Sequence, residues 1–153
     1  MLELKHVLDR ETSFMLLEPG ERTETPADMT LRLRAIASES NSVVLVAEEG
    51  DLLGGYVEAR GGEFRRNRHC AHVVMGVRRA FSGRGIGTAL LRELSAWAPA
   101  HGIRRLELTV MSHNERALRL YRGSGFEIEG TRTRSLTVDG RDVDEIAMAK
   151  LFE

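Results

Sequence analysis

Cysteine, lysine and long apolar runs are what this chain lacks. Its one cysteine, Cys70, excludes an internal disulfide framework and fits a reducing compartment. The lysines are Lys5 and Lys150, so nearly all the positive charge is arginine, a matter of composition rather than mechanism. No run approaches the ~18 apolar residues of a membrane-crossing helix, and Met1 to Arg10 is too charged for a signal peptide. A formal net charge of −1 gives no global attraction to nucleic acid or an anionic membrane. His69 and His72 alone do not make a metal site. The expectation is a cytoplasmic protein with no metal, no nucleic acid and no membrane among its partners. What is present is ordinary for a globular domain. At 153 residues, 42% hydrophobic and 29% charged, the chain is long enough to bury a core and reads as one domain over 1–153.

Periodicity divides the chain into alternating elements. Leu4, Val7 and Leu8 place a helix over Leu2–Arg10. Phe14 to Pro26 contains Pro19-Gly20 and reads as a loop. A second helix starts at Thr25-Pro26-Ala27-Asp28 and ends near Ser38–Ser42. Val43–Ala47 is a short apolar run, read as a strand buried on both faces. Glu48 to Asp51 then turns it back into Leu52–Ala59 as a hairpin. Arg60–Arg68 is polar and basic, an exposed loop too short for a nucleic-acid patch. Further on, Arg104–Met111 alternates as a strand, and a helix covers Asn114–Arg122. Phe126–Gly130, Arg134–Val138 and Val143–Leu151 read as three strands, the last two joined by an Asp139-Gly140 turn.

The most informative stretch is His72 to Leu91, HVVMGVRRAFSGRGIGTALL. An apolar β-branched run meets glycines at 83, 85 and 87. A helix then begins, with Ile86, Leu90, Leu94 and Trp97 on one face and Pro99 and Gly102 at its end. Strand, glycine turn and helix start together suit a phosphate, because backbone N–H groups converge without Cβ obstruction at the positive end of the helix. The spacing is not GxGxxG, and no GK[ST] follows. A purely structural glycine turn remains the alternative on this stretch alone.

A second constellation, NERALRLYRGSGF from Asn114 to Phe126, changes the weighing. Together with VxxxFSGRGIGTALL it resembles the GNAT acetyltransferase superfamily, over about Val43 to Leu151. The family's glycine signature opens with Gln or Arg. Here Gly85 and Gly87 match, but the opening position is Ser82. The resemblance implies an α/β fold: a mixed, mostly antiparallel twisted sheet with helices on both faces and splayed central strands. The family's first strand is missing or displaced, since almost nothing precedes Leu2.

The resemblance further implies acetyl-CoA as co-substrate and a primary amine as acceptor. Backbone N–H groups from Ser82 through Gly83, Arg84, Gly85, Ile86 and Gly87 to Thr88 would hold the CoA pyrophosphate, with the Arg84 side chain near it. Main-chain groups of Met75 and Val77 would pair with the pantetheine arm, and the Val77 N–H would polarise the thioester carbonyl. Oxyanion donors of this kind are worth about 3–4 kcal/mol. Asn114 would bind pantetheine, or serve simply as a helix N-cap. Tyr121 would donate to the departing sulfur, or be only a core aromatic. An alkyl ammonium costs about 4–5 kcal/mol to deprotonate at pH 7, so a base is expected, with His72, Glu58 and His69 as candidates. His72 as a plain structural histidine is the competing reading. The acceptor is expected to be a small-molecule amine. A protein N-terminus or lysine, or an acyl-CoA-binding module without turnover, are the rivals. Pairing of exposed terminal strands implies a homodimer by the same resemblance.

Overall fold

The computed structural model describes residues 1–153. Two helices come first, α1 (Leu2–Glu11) and α2 (Pro26–Ser38). Thr25 starts α2 with a capping box: its hydroxyl accepts the Asp28 N–H at 3.2 Å, and the Asp28 carboxylate accepts the Thr25 N–H at 2.8 Å. Strands β1 (Val43–Glu49), β2 (Leu52–Gly61) and β3 (Cys70–Val77) follow. Then come α3 (Ile86–Ala100), β4 (Arg105–Met111), α4 (Glu115–Gly123), β5 (Glu127–Val138) and β6 (Arg141–Leu151). The six strands form one sheet in the order β1-β2-β3-β4-β6-β5, and every pairing is antiparallel except β3 with β4. β1 is one edge of the sheet and β5 the other.

Alternation along the strands separates two layers. Val57, Ala59, Val73, Leu106 and Leu108 face α3 and join the main core with Leu91 and Leu94. On the opposite face Tyr56 packs under Leu4 and Leu8 of α1. Helices thus cover both faces, as the mixed α/β reading requires.

Three local expectations change. β1 is an edge strand with one neighbour, so it is half-buried rather than covered on both faces, and Val46 is 43% exposed. Pro99 lies inside the last turn of α3 without ending it. The end is made by Gly102 at φ 74°, with Ile103 N–H returning to Ala98 O at 2.9 Å. The two strands expected at 126–130 and 134–138 are one strand, β5, broken in register rather than in direction. Between Arg132↔Glu145 and Leu136↔Val143 the residues Thr133 to Ser135 bulge opposite Asp144, with Arg134 at φ 50°. The Asp144 carboxylate accepts the Arg134 N–H at 2.7 Å and holds the bulge.

Candidate active site

The parallel β3–β4 ladder stops early. It runs Cys70↔Arg105, Ala71↔Leu106 and His72↔Glu107, then ends. β3 continues with β2 as far as Gly55↔Val77, while β4 continues with β6 as far as Met111↔Glu145. The two strands therefore splay beyond His72. A cleft of about 650 Å³ opens between them.

Hydrogen-bond phase decides what the β3 backbone shows to this cleft. Arg78 N–H donates to Gly54 O on β2 at 2.8 Å, and Cys70 O accepts Gly62 N–H at 3.0 Å. On the other side, His69 O accepts Arg104 N–H at 2.9 Å. Even-numbered residues of β3 thus turn their main-chain groups to β2, and odd-numbered ones to β4. The last bridge, His72↔Glu107, uses the Val73 N–H. After the splay β4 is no longer there, so Val73 C=O and both main-chain groups of Met75 and Val77 face the cleft unpaired. Buried backbone groups are normally paired, so a bare edge inside a cleft is a place for an extended ligand.

The glycine turn closes one end. Gly83 and Gly85 adopt φ 77° and 76°, a left-handed region costly for residues with a Cβ, and a Cβ on either would meet open space. Ala89 N–H is the first to bond back, to Gly85 O, and α3 has no side-chain cap. The N–H groups of Gly83, Arg84, Gly85, Ile86, Gly87 and Thr88 consequently donate to nothing within the chain. Converging free donors at a helix start, in a concavity that a side chain would fill, fit a pyrophosphate. Ser82 differs from this set: its N–H closes the short 3-10 turn Arg79–Phe81 by donating to Arg79 O at 3.1 Å.

Across the cleft, Asn114 caps α4. Its Oδ1 accepts Ala117 N–H at 3.2 Å, which leaves the Nδ2 donor free at the cleft wall. Tyr121 is 8% exposed, its ring edge-on to Phe126 with centroids 5.7 Å apart, and its hydroxyl finds no partner in the chain. Burial, with a smaller contribution from Tyr56, holds that hydroxyl well above the ordinary tyrosine range. It stays protonated at any working pH.

Met75, Val77, Ser82 and Ile86 also line the cleft, as does His72 with its exposed ring. Two expected residues do not. Arg84 turns to the end of β1, where its guanidinium donates to both Glu49 oxygens at 3.1 and 2.8 Å. Glu58, expected as a base, is 4% exposed beneath α1 and α2, and accepts from Lys5 at 3.2 Å and Arg32 at 2.8 Å. Burial pushes its carboxyl up, but the Arg32 hydrogen bond and the Lys5 charge outweigh it, and the net direction is down. It is a structural anchor with no free lone pair facing the cleft.

The far end of the cleft carries residues that sequence reasoning missed. Phe14 and Leu16 of the α1–α2 loop, Met111 on β4 and Leu136 on β5 supply apolar wall. Glu11 and Glu145 are its carboxylates. Glu11 is occupied: its Oε2 accepts the Arg79 N–H at 2.7 Å. Glu145 was visible as the one acidic residue on the β6 face that also carries Val143, Ala147 and Ala149. No group of three or more His, Cys, Asp or Glu side chains is placed to hold a metal.

A bare strand edge, a phosphate-sized nest of donors and a protonated phenol together define an α/β protein shaped for an extended, phosphate-bearing ligand. The model of the acetyltransferase (GNAT) family matches residues 5–126, and the chain belongs to this family, whose members use acetyl-CoA as co-substrate. It is 39% identical over 109 residues to the N-alpha-acetyltransferase RimI of Mycobacterium tuberculosis, covering 71% of this chain and 66% of that protein. It is 32% identical over 107 residues to the L-amino acid N-acetyltransferase AaaT of Escherichia coli, covering 67% and 64%. The match thus spans slightly under two thirds of either relative. A crystal structure of a GNAT-family acetyltransferase from Streptococcus pneumoniae superposes with a TM-score of 0.95 at 31% identity, over 98% of this chain and 90% of that one. Solved structures of the same fold include complexes with acetyl-CoA.

Proposed function

We propose that this chain transfers the acetyl group of acetyl-CoA to the primary amine of a small molecule. The observation that carries the reading is the splay. The free donors of Gly83 to Thr88 lead onto the unpaired edge of Met75 and Val77, and that edge passes Tyr121. Acetyl-CoA supplies an activated acyl group, so the new C–N bond forms as the C–S bond breaks and the sulfur leaves.

Each residue then has one task. The turn holds the pyrophosphate, and the Asn114 Nδ2 and the β3 edge hold the pantetheine arm. The Val77 N–H donates to the thioester oxygen, where charge builds as the amine attacks. Tyr121 donates a hydrogen bond to the sulfur. Full proton transfer from it is uphill, because a thiol titrates near ~8.5 and burial drives this phenol above its ordinary value. His72, exposed and unbonded at the mouth, takes the amine proton.

Confinement of the far end by the α1–α2 loop and Leu136 of β5 supports a small acceptor. Similarity to the N-alpha-acetyltransferase RimI favours the second reading, a protein N-terminus. Acetyl-CoA-dependent thiol release, measured on alkyl and aryl amines, amino acids and peptides with free N-termini, separates them. Release with small amines is expected, and release confined to peptides replaces the first reading with the second. His72→Ala should lower kcat without raising the amine KM; an unchanged kcat removes His72 from the reaction.

A further inference from the structure

The acceptor end of the cleft shows a pattern the family match does not reach, since Glu145 lies beyond residues 5–126. Glu145 stands opposite Met111 on one side and Arg132 on the other, at the far end of β4, four residues beyond the last β3–β4 pair at Glu107. Its side chain is 12% exposed, yet it accepts no hydrogen bond. Its one ionic contact is at 3.4 Å with Arg132, which is itself 61% exposed. A carboxylate so covered ordinarily has donors around it. Glu145 has free lone pairs and faces the cleft.

The rim beside it is unusual in the opposite sense. Phe14, Leu16 and Val74 are 39%, 74% and 40% exposed, and all three line this cleft. Large apolar side chains left in water around one concavity mark a binding surface. We propose that the acceptor is a primary amine bearing an apolar aliphatic or aromatic substituent. Its ammonium pairs with Glu145 and its apolar group lies on Phe14, Leu16 and Val74. This rests on the acetyl-transfer reading for its chemistry, but not for its binding.

A pair of probes tests it: hexylamine and hexane-1,6-diamine share a six-carbon chain, and the diamine adds a second ammonium at the end that is apolar in hexylamine. Binding of each to the whole chain saturated with CoA is followed by NMR, and turnover by thiol release. Hexylamine should bind several-fold more tightly than the diamine. Glu145→Gln should weaken hexylamine by about tenfold or more, the scale of a lost charge-assisted hydrogen bond, and appear as a higher KM with kcat and CoA affinity kept. Glu145→Asp should restore part of the loss. Leu16→Ser should erode the preference for hexylamine without changing thermal stability, because that side chain is already exposed.

Equal or tighter binding of the diamine overturns the proposal. So does a Glu145→Gln variant that binds hexylamine as well as the parent, or one that loses CoA affinity and melting temperature together. Tight hexylamine binding with no thiol released would leave this inference standing and sink the acetyl-transfer reading instead.

Discussion

At the scale of single residues, Tyr121 and Gly85 carry most of the expected chemistry, for opposite reasons. Tyr121 acts through a polar atom that burial keeps protonated. Tyr121→Phe retains the ring packed on Phe126 and removes only the donor. We expect kcat to fall about 10- to 100-fold, the range of a hydrogen bond to a developing charge, with acetyl-CoA affinity unchanged. The sign of the pKa shift makes a second prediction. A donor held above the ordinary tyrosine range cannot lose its proton below pH ~10, so the pH–rate profile should show no alkaline descent before that point. A descent near pH 8 would assign proton donation to another group. Gly85 acts by having nothing. Gly85→Trp should abolish CoA binding, measured by calorimetry, while thermal stability falls by only the ~1–2 kcal/mol of a left-handed non-glycine residue. Unchanged CoA affinity would move the pyrophosphate elsewhere.

At the scale of elements, α4 and the strand ends shape the cleft. Asn114 has one side-chain oxygen for the helix and one amide nitrogen for the ligand, and two substitutions separate them. Asn114→Asp should keep the cap and the melting temperature but weaken CoA binding. Asn114→Ala should lose both, with about 1 kcal/mol of stability gone. If Asn114→Asp bound CoA normally, the residue would be a cap and nothing more. Much of this was legible in the sequence. Helix and strand periods put Tyr121 and Asn114 on α4 and set Met75 and Val77 in phase, because 3.6- and 2-residue repeats are local properties. The β5 bulge was not legible: TRTRS carries no glycine, and Arg134 holds φ 50° through a carboxylate ten residues away. That contact exists only after β5 and β6 have paired.

At the scale of the whole molecule, a line of alternating charges ties the acceptor-side layer to the sheet. Asp9 accepts from Arg22 at 2.7 and 3.0 Å, Arg22 and Arg32 both reach Glu24 at 3.2 Å, and Arg32 and Lys5 close on Glu58. α1, the α1–α2 loop, α2 and β2 are thereby linked. Glu58→Ala strands the nearly buried Lys5 and leaves Arg32, 35% exposed, with Glu24 alone. After discounting for that exposure we expect a loss of about 2–3 kcal/mol, or roughly 5–10 °C in Tm, while kcat at permissive temperature is kept. A lost kcat in a fully folded variant would return Glu58 to the catalytic set. Because the folded carboxyl sits below its ordinary value, its contribution is complete above pH ~4.3 and disappears as pH falls through the folded value; acid titration of the parent against Glu58→Gln checks this. The sequence by itself determined the elements, the glycine turn and the family, since each is written in spacings along one chain. Tertiary structure alone decided that Glu58 is locked away, that Arg84 turns outward to Glu49 and that Glu145 faces the cleft. Those are questions of which layer covers which face, and they are settled only when strands distant in sequence lie side by side.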